Sequence, residues 1–448
     1  MNARLLKYNI AAPRYTSYPT VPHWDVESWC EKAWLQSVKL AYEESSEQGI
    51  SVYIHLPFCE NLCTYCGCNT RITKNHAVEE PYIKAVIAEW KMYTAVLGTR
   101  PRVREIHLGG GTPTFFSADN LKKLLTGIFN EAQVIDNPEF SFEAHPANTT
   151  AEHLQTLFDL GFRRLSLGIQ DFDPKVQFVI NRKQTYEQVA FVTAEARKLG
   201  YTSINYDLIY GLPLQEITGI ENTIKKVLGL MPDRIAFYSY AHVPWIKPGQ
   251  RRFTEADLPQ DEEKRALYEK GLGLLSEAGY FDIGMDHFAL KTDSLYRSYI
   301  NQSLHRNFMG YTDRHTQLLV GLGVSSISDS LYAFAQNVKQ VEEYIHAVSQ
   351  GNLPLFKGHL LSPADLTNRK HIADIMCKGT TICNWIDLSI SSIKEKLMPL
   401  EQDGLIEIQG QRLKVTNAGK AFLRNICMAF DEYVGVPSTQ TPLFSKVI

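Results

Sequence analysis

Nowhere does this chain run apolar and uncharged for anything near the ~18 residues that a bilayer crossing requires, so no membrane span is expected. It has no excess of either charge. Its 46 Lys and Arg against 49 Asp and Glu leave −3, which gives no global field for nucleic acid or an anionic membrane. Low-complexity segments are missing. Met1 to Tyr8 carries Arg4 and Lys7 with no apolar core behind them, so no secretory signal is expected and the expected compartment is the reducing cytoplasm. What remains is an ordinary composition, 44% hydrophobic and 21% charged, long enough at 448 residues for one large domain and a smaller one.

Cysteine is scarce too, eight in all, but half of it sits within ten residues: Cys59, Cys63, Cys66 and Cys68. Cys30, Cys377, Cys383 and Cys427 are scattered. Structural thiols are spread along a chain. Four this close hold something soft, a metal ion or an iron–sulfur cluster.

Short runs rich in Val, Ile, Tyr and Phe at 51–56, 103–108, 139–145, 164–169, 203–209 and 234–241 alternate with helical patterns at 78–96, 118–132, 151–160, 186–199 and 218–230. Leu121, Leu124, Leu125 and Ile128 make one apolar stripe at i, i+3, i+4, i+7. Gly200 is placed to cap the fourth helix. Strict alternation predicts an α/β fold with a parallel sheet and right-handed crossovers. Six units predict an incomplete (βα)6 barrel, with an open doubly wound sheet as the alternative. Residues 1–48 read as an arm and a helix (28–44), 49–358 as the large domain, and 359–448 as a smaller, mainly α, winged-helix-like domain with a hairpin turning at Gly410. From 360 to 448, ten Lys and Arg face nine Asp and Glu, so this domain lacks the charge expected of DNA binding.

Polar and glycine residues recur just past the expected strand ends. They are the cysteine loop, Gly109-Gly110-Gly111-Thr112-Pro113, Glu143, Gln170, Asp207 and Ala241-His242. In parallel α/β folds that end of the sheet carries the site. The cysteine spacing is C-x3-C-x2-C-x-C. Structural zinc usually takes two separated pairs, and no second pair lies nearby. Three thiolates in one loop suit a cubane cluster with one iron left open.

On these residues the chain resembles the radical S-adenosylmethionine (SAM) superfamily, in which SAM chelates the open iron and is cleaved by one electron to a 5′-deoxyadenosyl radical. Tyr65 fits the aromatic found before the third cysteine. Further motifs are Pro13-Arg14-Tyr15-Thr16-Ser17-Tyr18-Pro19-Thr20, Cys66-Gly67-Cys68-Asn69, the run from His107 to Thr114 and Gly168-Ile169-Gln170-Asp171. The run from Asn205 to Pro213, Gly284-Met285-Asp286-His287-Phe288, His305-Arg306-Asn307-Phe308 and Arg424-Asn425-Ile426-Cys427-Met428 complete the set. Together they resemble the oxygen-independent coproporphyrinogen III oxidase family over nearly the whole chain. That resemblance implies conversion of two propionates of coproporphyrinogen III to vinyls, with release of carbon dioxide, in haem biosynthesis.

The resemblance also implies residue roles. Cys59, Cys63 and Cys66 resemble the ligands of a [4Fe–4S] cluster, and Cys68 the family's extra, non-ligand cysteine. Two SAM molecules are implied, at Tyr53, Tyr65, Gly110, Gly111, Thr112, Glu143, Gln170, Arg182, Asp207, Ala241 and Ile327. The plain alternatives are a tight turn at Gly109–Gly111, a surface charge at Arg182 and simple core at Tyr53. A tetra-anionic macrocycle needs cations beside apolar walls, so Arg14, Tyr15, Tyr18, His305 and Arg306 are the substrate candidates. One departure shows: His145 stands before Pro146 where the resemblance leads one to expect an acidic residue. An electron donor and a final acceptor are implied but not named by the sequence, and a monomer is expected. The rival readings are a haem-binding chaperone and another tetrapyrrole-acting radical SAM protein.

Overall fold

The computed structural model describes residues 7–27, 29–385 and 388–434. Ser28, at the start of the expected first helix, and the outer ends of the expected arm and C-terminal domain (1–6 and 435–448) lie outside the described residues, as do 386 and 387.

All six expected strands form. They are β1 (Ile50–Leu56), β2 (Arg102–Gly110), β3 (Gln133–Ala144), β4 (Phe162–Gln170), β5 (Ser203–Tyr210) and β6 (Arg234–Ser239). Each pairs in parallel with the next. The intervening helices are α1 (Glu31–Ser45, before β1), α2 (Glu79–Leu97), α3 (Ala118–Asn130), α4 (Ala151–Asp159), α5 (Tyr186–Leu199) and α6 (Ile217–Leu230). The local signals explain their ends. Thr185 and Gln188 make a capping box on α5, and Gly200 closes it at φ 100°, where a Cβ would be strained. The α3 stripe of Leu121, Leu124, Leu125 and Ile128 is fully buried. Each such side chain contributes about 1.5–3 kcal/mol of burial.

The sheet is larger than six strands. Leu319–Leu322 adds a seventh parallel strand on the far side of β1, with Tyr53 opposite Gly321. Antiparallel strands extend both edges: Ile327–Asp329, Ala333–Asn337 and Leu355–Leu360 on one, His287–Leu290 and Tyr280–Gly284 on the other. The twelve strands form an open series, β1 and β6 not pairing with each other, so the barrel is incomplete as expected.

Alternation sorts the side chains. Val52, Ile54, Ile106, Leu108, Phe142, Leu167 and Leu208 face outward into the helices and are fully buried. The opposite face is polar: Tyr53 and His55, His107, Ser141 and Glu143, Ser166, Asn205 and Asp207. Register aligns them, Tyr53 beside His107 beside Ser141, and Glu143 beside Ser166 beside Asn205. A sheet whose concave face is polar is built to hold something.

The C-terminal segment runs helix (Pro363–Lys378), strand (Thr380–Ile382), helix (Leu388–Gln402), hairpin (Ile406–Gln409 and Arg412–Val415) and a short helix (Leu423–Met428). Its apolar side chains, Leu397, Leu405, Leu413 and Ile426 among them, share one core with Tyr8, Tyr15 and Tyr18 of the arm and with Ile283, Leu304 and Tyr311 of the large domain. No helix among the described residues is long and apolar enough to cross a membrane.

Candidate active site

The cysteine loop leaves β1 at Leu56 and is pinned on every side. Phe58 and Cys59 pair with Arg71 and Ile72, folding the loop back on itself. Gly111 N–H donates to the Leu56 carbonyl at 2.8 Å and Thr112 N–H to that of Phe58 at 3.0 Å. Thr64 N–H reaches the Ile180 carbonyl at 3.0 Å, and Asn181 Nδ2 donates to the Leu62 carbonyl at 2.8 Å. His55 Nε2 lies 2.9 Å from the Asn69 carbonyl oxygen.

Cys59, Cys63, Cys66 and Cys68 open onto a cavity of about 370 Å³. The glycine turn supplies Gly110, Gly111 and Thr112 to its wall, and the strand ends supply Glu143, Gln170 and Asp207. Tyr65 and Arg182 complete it. Eight of the eleven SAM candidates therefore meet around the thiols. The other three do not. Tyr53 is buried behind the wall, stacked on His107 with centroids 5.9 Å apart and edge-on to Phe308 at 4.9 Å. Ala241 lies beyond the end of β6 (Ser239), its carbonyl accepting from Gln250 Nε2 at 3.2 Å. Ile327 begins a strand of the sheet extension.

The glycines are required by space. A Cβ at Gly111 would sit 2.6 Å from the Pro57 carbonyl oxygen, and Gly110, at φ 115°, would press one 2.8 Å from the His55 ring. The cradle therefore brings bare backbone to the cavity beside the cysteines. Gln170 holds φ 67° at a register slip between β4 and β5. Such a left-handed residue costs about 1–2 kcal/mol and is kept where a side chain must be re-aimed.

Arg182 is buried, not on the surface. It donates to the Gly168 carbonyl, to Gln184 Oε1 at 3.1 Å and to Cys63 Sγ at 3.7 Å. Glu143 accepts from Gly110 N–H at 3.1 Å and lies 3.5 Å from His107 Nε2. Asp207 accepts from Ser166 at 3.0 Å and Asn205 at 2.9 Å. Burial first, and Glu143 second, push its carboxyl up to about 6. His145 is not a strand residue. Its Nδ1 accepts from Ala147 N–H at 3.1 Å, capping the turn Pro146–Asn148. Burial, then Arg182, push its pKa down to about 2, so it is a neutral cap where an acid was expected.

The donor set fits a cluster. Cys59, Cys63 and Cys66 come from one short loop and line one cavity beside the glycine cradle, the arrangement a cubane cluster with an open iron takes. Burial holds Cys59 up at about 11, so binding must displace its proton. A hydrogen bond from Cys68 is the main cause that brings Cys66 down to about 6. Cys68 thus stands as a partner of Cys66.

The substrate candidates separate. Tyr15 donates to Asp431 at 2.9 Å, and Tyr18 accepts from Glu432 N–H at 3.2 Å. Both are buried in the contact between arm and C-terminal segment, where their hydroxyls anchor the arm. His305 packs 4.2 Å from the His315 ring, and burial pushes its pKa well down. Arg14 lies 3.7 Å from Asp286 and over the Tyr238 ring. Arg306 stacks on Tyr311 at 4.7 Å, and its buried Nε and Nη1 find no hydrogen-bond partner among the described residues. Buried N–H donors left open in this way are costly unless an acceptor joins them.

Sequence reasoning missed His55, His107, Ser166 and Asn205. His55 lies two residues from Tyr53 and Asn205 two from Asp207 on the same strand face, whereas His107 and Ser166 come beside Tyr53 and Glu143 only through strand register.

A partial parallel barrel with a cysteine loop at its mouth defines a radical SAM enzyme, and the family model of the Radical SAM superfamily matches residues 53–227. The chain is 36% identical to oxygen-independent coproporphyrinogen III oxidase of Escherichia coli strain K12, covering 100% of this chain and 98% of that one. It is 37% identical to the Helicobacter pylori J99 protein of the same name, covering 96% and 95%. The solved structure of coproporphyrinogen III oxidase (HemN) from Escherichia coli, described as a radical SAM enzyme, superposes with a TM-score of 0.90 at 34% identity over 97% of this chain and 99% of that one. The chain belongs to the oxygen-independent coproporphyrinogen III oxidase family. Membership brings the superfamily's cofactors, a [4Fe–4S] cluster and SAM.

Proposed function

We propose that this protein carries out the anaerobic oxidative decarboxylation of two propionates of coproporphyrinogen III to vinyls, giving protoporphyrinogen IX and carbon dioxide for haem synthesis. One observation carries the reading. The thiol-lined cavity shares Glu143, Ser166 and Asp207 with a second cavity of about 240 Å³ inside the barrel, so a substrate side chain entering there would lie against the cofactor cavity. The full-length relatives named for this activity support it.

When bound, the reduced cluster supplies the electron that cleaves SAM to the hydrogen-abstracting 5′-deoxyadenosyl radical. The chain's residues hold and orient. In this reading Cys59, Cys63 and Cys66 ligate the cluster. Gly110, Gly111 and Thr112 offer backbone to SAM, while Glu143 and Asp207 accept from its ammonium or ribose hydroxyls. Arg182 meets a carboxylate as it meets Cys63, by its fork. Two SAM molecules are used. Arg306, with its unpaired buried nitrogens, and Arg14 receive propionates of the macrocycle. Tyr15 and Tyr18 act at a distance, by fixing the arm that carries Arg14. Residues 1–48 serve as this arm, 49–358 as the catalytic domain and 359–448 as the closing domain, with the second apolar core joining all three. We place the protein in the cytoplasm as a monomer, served by a separate electron donor and acceptor.

The test is anaerobic incubation of cluster-loaded protein with SAM, reductant and coproporphyrinogen III. Protoporphyrinogen IX with two carbon dioxide per macrocycle is expected. No product, with stoichiometric haem binding in its place, would make the chain a haem carrier.

A further inference from the structure

The motif Gly284-Met285-Asp286-His287-Phe288 takes no part in lining the thiol-lined cavity. It makes the hairpin between the strands Tyr280–Gly284 and His287–Leu290. The turn is tight: Gly284 pairs with His287, and only Met285 and Asp286 lie between them. Both hold left-handed backbone, at φ 43° and 70°. Turns of this kind favour Asn-Gly, because most side chains are strained there. Such strain is kept where it fixes something. Here it brings the Met285 carbonyl oxygen to 2.7 Å from His287 Nδ1.

A carbonyl oxygen only accepts, so Nδ1 carries the proton. Burial first, and Arg306 second, push the His287 pKa down to about 3, so the ring is neutral. Nε2 is therefore a bare acceptor. The Tyr238 hydroxyl reaches it only at 3.4 Å, a long bond. Gly310 lies beside the same nitrogen. A Cβ there would stand 3.4 Å from Nε2, and the glycine leaves that side free of a side chain.

His287, Tyr238 and Tyr311 all line the inner cavity of about 240 Å³. The imidazole stands edge-on to both tyrosines, with centroids 5.6 and 5.3 Å away. Each tyrosine carries a guanidinium over its ring, Arg14 over Tyr238 and Arg306 over Tyr311. An acceptor thus sits between two cations. The cations suit carboxylates, and the acceptor suits a donor. Coproporphyrinogen III, with its carboxylates ionised at neutral pH, has no donors but its pyrrole N–H groups. The cavity is smaller than ordinary ligand sites and takes one pyrrole with its side chain, not the whole macrocycle. The same cavity includes Glu143, Ser166 and Asp207, the wall shared with the cofactor cavity.

We propose that His287 is a substrate-binding and specificity-determining residue, its Nε2 accepting the N–H of the pyrrole whose propionate reacts. This contact rests on the functional reading above for the identity of its ligand. It sorts ligands by oxidation state. In a flat aromatic porphyrin the N–H groups point into the ring, out of reach of a side chain. In the puckered porphyrinogen a pyrrole turns its N–H outward. His287 therefore selects the reduced macrocycle.

The experiment measures Kd for coproporphyrinogen III and for its oxidised form, coproporphyrin III, by quenching of protein fluorescence. It uses the cluster-loaded full chain under argon, without SAM. His287→Phe and His287→Leu remove the acceptor, while His287→Gln keeps an acceptor oxygen at similar reach. The first two are expected to bind coproporphyrinogen about tenfold more weakly, and coproporphyrin within about twofold of the wild type, as loss of one hydrogen bond implies. His287→Gln is expected to stay within about threefold of the wild type for both ligands. Bound iron is expected to match the wild type in all three. Equal affinity of the wild type and both removal variants for coproporphyrinogen, or an equal loss for both ligands, overturns the proposal. His287→Gln binding coproporphyrinogen as weakly as His287→Phe overturns it too. A loss confined to coproporphyrinogen, with no anaerobic turnover by the wild type, would keep this contact and sink the functional reading; turnover by the wild type with no such loss would do the reverse.

Discussion

Arg182 Nη1 stands 3.7 Å from Cys63 Sγ, although 119 residues separate them in the chain. The same guanidinium holds the Gly168 carbonyl and Gln184 Oε1, and Gln184 Nε2 in turn donates to the Ile169 carbonyl at 2.5 Å. The cysteine loop is thus locked to the end of β4 by one planar fork. Arg182→Lys keeps the charge but loses the geometry. The variant is expected to fold and to load iron, with SAM bound about tenfold more weakly, as the loss of one charge-assisted bond implies. Equilibrium dialysis with labelled SAM checks it; unchanged affinity would remove Arg182 from the SAM site.

Gly111→Ala probes the cradle. The new methyl would meet the Pro57 carbonyl carbon at 2.7 Å and the Phe58 carbonyl oxygen at 2.9 Å, all main chain of the strand that leads into the cysteine loop. Overpacking of this kind costs about 1–3 kcal/mol, and here relief displaces Cys59. A lower Tm and loss of most bound iron after anaerobic desalting are expected. Full iron retention would show that the loop tolerates the shift.

Asp207 ties function to stability with a definite sign. Its carboxyl titrates near 6 in the fold against a reference of 3.8, chiefly through burial. As pH rises from about 4 to about 6 the unfolded chain loses this proton first, so the group's contribution to stability falls across that window and stays low above it. About two pH units correspond to roughly 3 kcal/mol, offset by about 1 kcal/mol for the acceptor that asparagine lacks. Asp207→Asn is therefore expected to be the more stable protein at pH 7.5, to lose that advantage at pH 4, and to bind SAM poorly. Urea unfolding at both values checks it. A pH-independent difference would mean that Asp207 is not held neutral-leaning by burial.

Much of this was legible in the sequence, and the failures share a cause. The period-2 strands β1 to β6 and the α3 stripe are local patterns, and they formed where they were expected. The seventh parallel strand, Leu319–Leu322, was hidden because Gly321 weakens the strand signal; its glycine is needed for contact, since a Cβ there would meet the Ile327 carbonyl oxygen at 2.3 Å. The cysteine loop and most of its cradle were legible as motifs. Which of these residues meet was not, because Arg182 and Cys63, or Tyr15 and Asp431 across 416 residues, come together only through topology. Tyr15 and Tyr18 looked like walls for a macrocycle and instead hold the arm.

The central claim is that three cysteines hold the cluster and leave one iron for SAM, with Cys68 outside the ligand set. Electron paramagnetic resonance of dithionite-reduced protein, with and without SAM, tests it on Cys63→Ala and Cys68→Ala side by side. The account predicts no cluster signal from Cys63→Ala, and from Cys68→Ala a signal that forms normally and changes when SAM is added. Loss of the signal in both variants, or a Cys68→Ala cluster that SAM leaves unchanged, would contradict it.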